Sequence, residues 1–415
     1  MGGAIAGAAL AADEPRVTLE EALALARAAN ARLPPAASER EIARQKEREA
    51  RAERLAKIVL EGGFVYAPPG GYDPALTNGG EGRLQVVGRQ PLYDGGEKRA
   101  AISRASSQIE VAAARYRIAE RDVELEVRTQ FAQWWEARAE IEARRDSLAR
   151  LGGYRTSLES RRAAGEAVGP DLLKTDVRRA SDQADLAQAE ERMAEARLNL
   201  NDLMGRDPAA PLELAPEPPP SAPGERPADA WAGAPEVAEA AAARESARAE
   251  LRIARAEAKP HLLATADTGF WASDTSRPSR FADRFWKSAG FSLGLSLQWP
   301  LWDFGAIGAR IAQARVAESE AGQRETVESR HARLQFLLAR SALDRAFREF
   351  ELLSKAAPDA RDAYLEIESR YRGGAATSLE VLEAHATAVD TAIRLAEAAR
   401  RFRDAEALER RWGAP

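Results

Sequence analysis

A chain of 415 residues has room for two or three ordinary domains. With 30% charged residues, a formal net charge of -5 and a mean hydropathy of -0.43, no run in it approaches the roughly 18 apolar residues of a membrane-spanning helix. Membrane contact would have to come through strands or a surface helix. No face rich in Lys and Arg stands clear of Glu and Asp, so there is no nucleic-acid footprint, and the lack of cysteine excludes disulfides and thiolate metal sites.

The opening MGGAIAGAALAADEP is small and apolar, with Ala9-Leu10-Ala11 suited to signal cleavage. Residues 1–12 read as a residual export signal or a flexible terminus. From residue 13 to 204 the chain reads as one structural unit. It begins with a helical pattern over Leu19–Lys57, broken near Leu33-Pro34-Pro35. Strands are expected at about 58–66, where Ile58, Leu60, Phe64 and Tyr66 share one parity, and at 83–90, whose alternation is weaker. A helical hairpin is expected over 97–204. Ile102, Ile109, Tyr116 and Val123 step by seven, then Val127, Trp134, Ile141 and Leu148 continue on a register shifted by four, a stutter. At about 1.5 Å per residue the first of these helices is roughly 100 Å long, and its return helix half that. The long helix is therefore expected to pack beside two shorter ones in tandem, the return helix and the amino-terminal helix of the same unit.

Residues 205–230 contain eight prolines and read as a linker or surface wrap. Residues 231–415 then repeat the first unit. Strands are expected at about 262–271 and 291–299, and a helical hairpin over 306–412, with Phe336, Leu343 and Phe350 on its seam. The duplication is read from one offset. Pro91-Leu92-Tyr93-Asp94-Gly95-Gly96 recurs 209 residues later as Pro300-Leu301-Trp302-Asp303-Phe304-Gly305, and the same step carries Gly165 onto Gly374.

The stretch FSLGLSLQW at Phe291–Trp299 alternates throughout. Phe291, Leu293, Leu295, Leu297 and Trp299 form one face, and Ser292, Gly294, Ser296 and Gln298 the other. Its length and terminal Trp suit a tilted membrane strand, and Trp271, Trp286, Trp299 and Trp302 suit interfacial girdles. Packing in a soluble sheet accounts for the same pattern. Pro91 and Pro300 are expected to stop the ladder at each strand–helix junction, with Asp94, Gly96, Asp303 and Gly305 turning the chain into the helix. Four strands in one chain leave two open edges, and unpaired backbone groups in hydrocarbon cost about several kcal/mol each. Two or more chains are needed to close a barrel, and three give a twelve-stranded one with Thr265, Asp267, Ser292, Ser296 and Gln298 lining a wet lumen.

These features resemble the TolC-type outer membrane efflux proteins, also called outer membrane factors. The motifs that carry the resemblance are QPLYDGG at Gln90–Gly96, WPLWDFG at Trp299–Gly305, VTLEEALALARAAN at Val17–Asn30 and YRGGAATSLEVLEA at Tyr371–Ala384. The resemblance implies a mainly α protein with membrane β: a homotrimer whose chains each give four strands to a twelve-stranded barrel in the Gram-negative outer membrane. That barrel is continued by an α-helical barrel in the periplasm. It implies a passive exit duct for a tripartite efflux pump or a type I secretion system, with a periplasmic adaptor and an inner membrane transporter as partners. By the same resemblance, Glu380 and Glu383 match acidic residues that ring the periplasmic entrance, and Asp171 stands at the first-copy position of Glu380. The helix tips, Gly165, Glu166, Val168 and Gly169 in copy one and Gly373, Gly374 and Thr377 in copy two, are the adaptor-docking candidates. The chain departs from the family pattern in its incomplete signal, its missing lipidation Cys and its weakly apolar strand at 83–90.

No chemistry of an enzyme is legible. There is no H-E-x-x-H, no phosphate loop and no nucleophile elbow, and His261, His331 and His385 each read as a lone surface histidine. No cofactor or metal is expected. The rival to a duct is a soluble or filamentous coiled-coil scaffold with a small β-sheet.

Overall fold

The computed structural model of the chain describes residues 16–65, 81–163, 169–273 and 284–413. The expectations for residues 1–15, Tyr66, the greater part of both strand-joining loops, and tip residues Gly165, Glu166 and Val168 lie outside that range.

Two short helices, α1 (Leu19–Ala29) and α2 (Leu33–Ala52), lead into strands β1 (Lys57–Val65) and β2 (Glu81–Tyr93). Helices α3 (Glu97–Ala163) and α4 (Gly169–Leu203) follow. After a short 3-10 turn at Ala230–Gly233 come α5 (Pro235–Ala256), β3 (His261–Ser273), β4 (Ala289–Gln298), α6 (Ala306–Arg372) and α7 (Ser378–Trp412). The two long helices have 67 residues each and the two return helices 35 each, so the duplication keeps the length of the helical hairpins to the residue.

Two compact units are built from interleaved stretches. The first comprises Met1–Ala36, Tyr116–Glu236 and Ser329–Pro415. Its α1 starts with a capping box in which Thr18 and Glu21 satisfy each other's backbone N–H, and it buries Ala22, Leu23 and Ala26. Those residues meet Val123, Val127, Phe131 and Trp134 of α3 and Ala196 and Leu200 of α4. Leu212 and Leu214 of the proline-rich segment close the same core, with Leu214 only 1% exposed. That segment is a wrap, pinned by Asn201, whose side-chain amide donates to the carbonyls of Pro208 (3.1 Å) and Ala210 (2.9 Å). Charged residues bind the helices where the seam ends. Buried Glu409 accepts from Arg340 (2.8 Å) and lies beside Arg226, and buried Arg411 donates to Asp122 (2.7 Å).

The second unit comprises Ala37–Arg115 and Val237–Glu328. It holds one antiparallel sheet in the order β1-β2-β3-β4. The hairpins are copies of each other. Lys57 pairs with Arg89 in the first and His261 with Gln298 in the second, steps of 204 and 209 along the two strands. Helix α5 pairs ionically with both long helices, through Arg104–Glu250 and Arg115–Glu239 to α3, and Arg244–Glu325 to α6, all at 2.8 Å. The tandem partner of α3 in this unit is thus a helix of the second copy, not only that of its own copy.

One expectation on the junctions is corrected. β4 does end before Pro300, but β2 runs on through Pro91 to Tyr93. The ladder absorbs the missing N–H with a register shift between Pro91 and Tyr93 against β3.

Trp134 is 2% exposed at the centre of the first unit's core. Trp134→Ala is expected to cost about 3–5 kcal/mol and to lower the thermal midpoint of the helical circular-dichroism signal, whereas Arg324→Ala on an exposed face stays within about 0.5 kcal/mol.

Candidate functional site

The sheet registers decide which side chains share a face, because directly opposed residues point the same way. Leu295 opposes Ala264, which opposes Gln90, and Phe291 opposes Thr268, which opposes Val86, which opposes Leu60. Following these pairs puts Ile58, Leu60, Phe64, Leu84, Val86, Phe270 and the odd residues of β4 on one surface. Among the described residues nothing covers β4 there: Phe291, Leu293, Leu295 and Leu297 are 80, 78, 71 and 67% exposed, and Trp299 just past the strand is 55% exposed. Five such side chains each gain about 1.5–3 kcal/mol on leaving water. The other surface collects Glu61, Arg83, Gln85, Arg89, Thr265, Asp267, Ser292, Ser296 and Gln298, together with the apolar Val59, Val87, Leu263 and Trp271. Arg89 pairs with Glu61 at 2.6 Å, and the Ser292 hydroxyl donates to the Asp267 carboxylate. The weak alternation of β2 is thereby explained, since Arg83 and Arg89 both fall on the polar side.

The two strand–helix junctions use one device. The Asp94 carboxylate accepts from the backbone N–H of Gly96 (2.9 Å) and Lys98 (3.0 Å), and Asp303 accepts from Gly305 (3.0 Å) and Ile307. Each aspartate caps its long helix, whose first N–H groups have no partner in the helix. Between cap and helix the chain takes two left-handed residues, Gly95 (φ 64°) and Gly96 (φ 96°) in copy one, Phe304 (φ 57°) and Gly305 (φ 89°) in copy two. Phe304 is the sole non-glycine residue at positive φ among the described residues.

At the tip, Gly374 (φ 77°) ends α6, with the Ala375 N–H donating to the Arg370 carbonyl at 2.8 Å. Gly373 precedes it, and Gly169 is the first residue of α4. Thr377 and Glu380 form a capping box on α7. The Glu380 carboxylate accepts from the Thr377 backbone N–H at 2.6 Å, and these bonds hold it below the ordinary carboxylate range. The signal for this role, Thr-x-x-Glu at 377–380, was present in the sequence. Glu383 is exposed and Asp171 half-buried in the first turn of α4. The three carboxylates are not gathered in one chain, and no metal-holding cluster of three occurs among the described residues. Just inside the tip, Leu158, Tyr364, Tyr371 and Val381 form a small core, and the Tyr154 hydroxyl donates to Ser378 at 2.8 Å.

His385 is a correction: it is 3% exposed. Its Nε2 lies 2.7 Å from the Ser147 hydroxyl, which also meets the Asp182 carboxylate. A hydroxyl has one proton to give, and the carboxylate takes it, so Nε2–H must donate to Ser147. The imidazole therefore has no room at Nε2 for a proton from Ser147, and the group is a tie between α3, α4 and α7 rather than a nucleophile with its base. Arg144 and Arg178 balance Asp182 at 3.0 and 3.4 Å. The separations of 35 and 238 residues left no local signal for the cluster. His261 lies 3.9 Å from Glu97, and the His331 ring packs edge-on to Trp412.

Comparison with known proteins places these features. A family profile described as "Outer membrane efflux protein" matches residues 22–206 and 227–414. The Pyoverdine export outer membrane protein OpmQ of Pseudomonas aeruginosa is 28% identical over 252 residues, which are 57% of this chain and 50% of that protein. The chain thus spans about half the length of the curated relative it matches. Among solved structures, the outer membrane protein VceC of Vibrio cholerae superposes with a TM-score of 0.84 at 20% identity, covering 95% of this chain and 96% of that one. The outer-membrane channel OprN gives 0.85 at 19% identity, covering 95% and 89%. The fold, a duplicated helix–strand repeat, is shared with both.

Two outcomes are expected from this geometry. Burial pushes the His385 pKa below its ordinary 6.5, with the nearby Asp182 charge opposing the shift in part. The unfolded chain then takes up the proton first, so stability falls as pH drops below 6.5. The thermal midpoint is expected to fall less between about pH 7 and about pH 5 in His385→Gln than in the wild type. Asp303→Ala is expected to lose about 0.5–2 kcal/mol by removing the cap of α6, and Asp303→Asn to retain most of it, both read from denaturant unfolding.

Proposed function

The chain belongs to the outer membrane efflux protein family, and from that premise we propose that it is the passive exit duct of a tripartite efflux pump, formed by three copies of the chain. Proteins of this family are outer membrane channels rather than enzymes. The observation that carries the reading is the sheet itself. One surface is oily and exposed, the other carries most of the charged and hydroxylated side chains, and among the described residues both outer strands lack a neighbour on one side. Lipid against the first surface removes it from water, and sister chains on the edges supply the backbone partners that hydrocarbon denies. The polar surface then faces an aqueous lumen, as in barrels that conduct.

A periplasmic adaptor and an inner membrane transporter complete the pump in this reading, since the chain carries no machinery to drive transport. The adaptor meets the tips around Gly169, Gly373, Gly374 and Thr377, together with Gly165, Glu166 and Val168. A role in type I secretion is the alternative within the family. Pyoverdine export is what OpmQ's name states, and it favours small-molecule efflux of the two. Glu380, Glu383 and Asp171 are proposed as the charged constriction: three chains bring their carboxylates together into cation-attracting rings. Glu380 is suited to this because it is exposed and the cap holds its carboxylate in one place at the start of α7.

In cells the protein is expected in the outer membrane fraction, and in detergent as a particle of three chains; a soluble single chain contradicts the duct. In planar bilayers Glu380→Gln with Glu383→Gln is expected to weaken block by multivalent cations by about tenfold or more, as loss of charged rings requires. Glutamine at the third helical position preserves the capping box, so a change in block reports charge and not fraying of α7. Unchanged block contradicts the gate.

A further inference from the structure

We propose that β4 joins β1 of a neighbouring copy in one defined antiparallel register, with Gln298 opposite the neighbour's Glu61, and that Phe304 seats against the neighbour's Leu55. This rests on the closed oligomer proposed above and specifies how it closes.

The template lies inside the chain. β2 and β3 form a joint between the first copy and the second, and a ring needs the same joint from the second copy to the next chain's first. Heterologous contacts of this kind close into rings. The hairpin registers give the mapping, a step of 209 from β2 to β4 and of 204 from β1 to β3. Arg89 opposes Thr265 in the internal joint, so Gln298 opposes Glu61 in the external one. By the same mapping Leu295 meets Phe64 and Trp299 meets Leu60. The faces provide an independent check. Every one of these pairs sets oily against oily or polar against polar, which no part of the mapping required. A slip of one residue would turn the apolar side of β4 onto the polar side of β1.

A second observation comes from the corner beside the joint. In the internal joint Lys259 lies over Gly95. Its ammonium donates to the Gly95 carbonyl at 2.8 Å, and a Cβ on Gly95 would come within 2.9 Å of the Lys259 Cβ. Lys259 and Leu55 occupy the same turn two residues ahead of their strands, each with its N–H on the alanine that ends the preceding helix. The images of Gly95 and Lys259 are thus Phe304 and Leu55. Phe304 is 93% exposed and Leu55 67% exposed, and Phe304 holds a left-handed backbone that bulky residues avoid. Where the internal corner is closed by a lysine on a glycine, the external corner holds two large apolar side chains that stay exposed in the single chain, Phe304 meeting only the edge of Trp302 at 5.9 Å among the described rings. A second copy of this chain is the occupant that pairs both with each other.

The chain has no cysteine, so the joint can be tested by engineered disulfides on the full protein in its membrane. Directly opposed residues lie about 4.5–5.5 Å apart at Cα, within disulfide reach. On oxidation Glu61→Cys with Gln298→Cys is expected to give covalent dimer and trimer bands on denaturing gels, several times more than Gly63→Cys with Gln298→Cys. The mass of the unoxidised particle in detergent is measured alongside. A single chain overturns both the oligomer and the register. A trimer that links equally or better through Gly63 overturns the register and leaves the duct standing. Phe304→Gly is expected to lower the temperature at which the trimer dissociates on gels. An unchanged or raised temperature, which relief of backbone strain alone would produce, overturns the contact with Leu55.

Discussion

A backbone N–H or C=O in hydrocarbon has no water to bond, so a sheet that enters lipid cannot end. The four strands described here meet that constraint halfway. Three antiparallel ladders run between them, with one register shift at Pro91, yet among the described residues β1 and β4 each leave one side bare. The surface they present is too oily for water along β4 and too charged for lipid on its reverse. In the proposed duct, lipid on one side and water on the other suit both surfaces, and further copies of the chain pair the edges. Membership of the efflux channel family is the premise of the proposed duct, and the two surfaces of the sheet agree with it.

Duplication explains how the constraint is satisfied with so little sequence. The helical hairpins match in length to the residue across the copies, and the two junctions match hydrogen bond for hydrogen bond. Two differences are therefore informative. Phe304 replaces Gly95 at a corner that is packed within the chain in one copy and open in the other. Pro358 lies inside α6, where the corresponding position of α3 is Ala149. Proline removes a backbone donor there, and the first copy has no equivalent. The caps, whose surroundings are local, stay alike.

Much of the fold was legible because its signals are local and periodic. Alternation from Phe291 to Trp299 is visible residue by residue, and a seven-residue seam brought Val123, Val127, Trp134 and Ile141 into the core as expected. The step of 209 between the junction motifs needed no structure. What escaped depended on distant partners. The polarity of β2 looked like a defect until the register put Arg89 on the same face as Glu61 of β1, within ion-pair reach. His385 read as a surface residue because Ser147 and Asp182 lie far away in sequence on other helices. Pro91 was expected to end a strand, and a shift in register let the ladder pass it. At the tip the capping box at Thr377 was written in four consecutive residues, while the ring proposed for Glu380 needs further copies of the chain.

The central claim is that one side of the sheet faces lipid and the other faces water. It is tested most directly by placing single cysteines along residues 291–299 of the cysteine-free chain, attaching a nitroxide, and measuring its exposure to oxygen and to a water-soluble nickel complex in lipid vesicles. The account requires oxygen exposure to peak at Phe291, Leu293, Leu295, Leu297 and Trp299, and nickel exposure at the residues between them, with a period of two. Equal access of the nickel complex to both sets contradicts it.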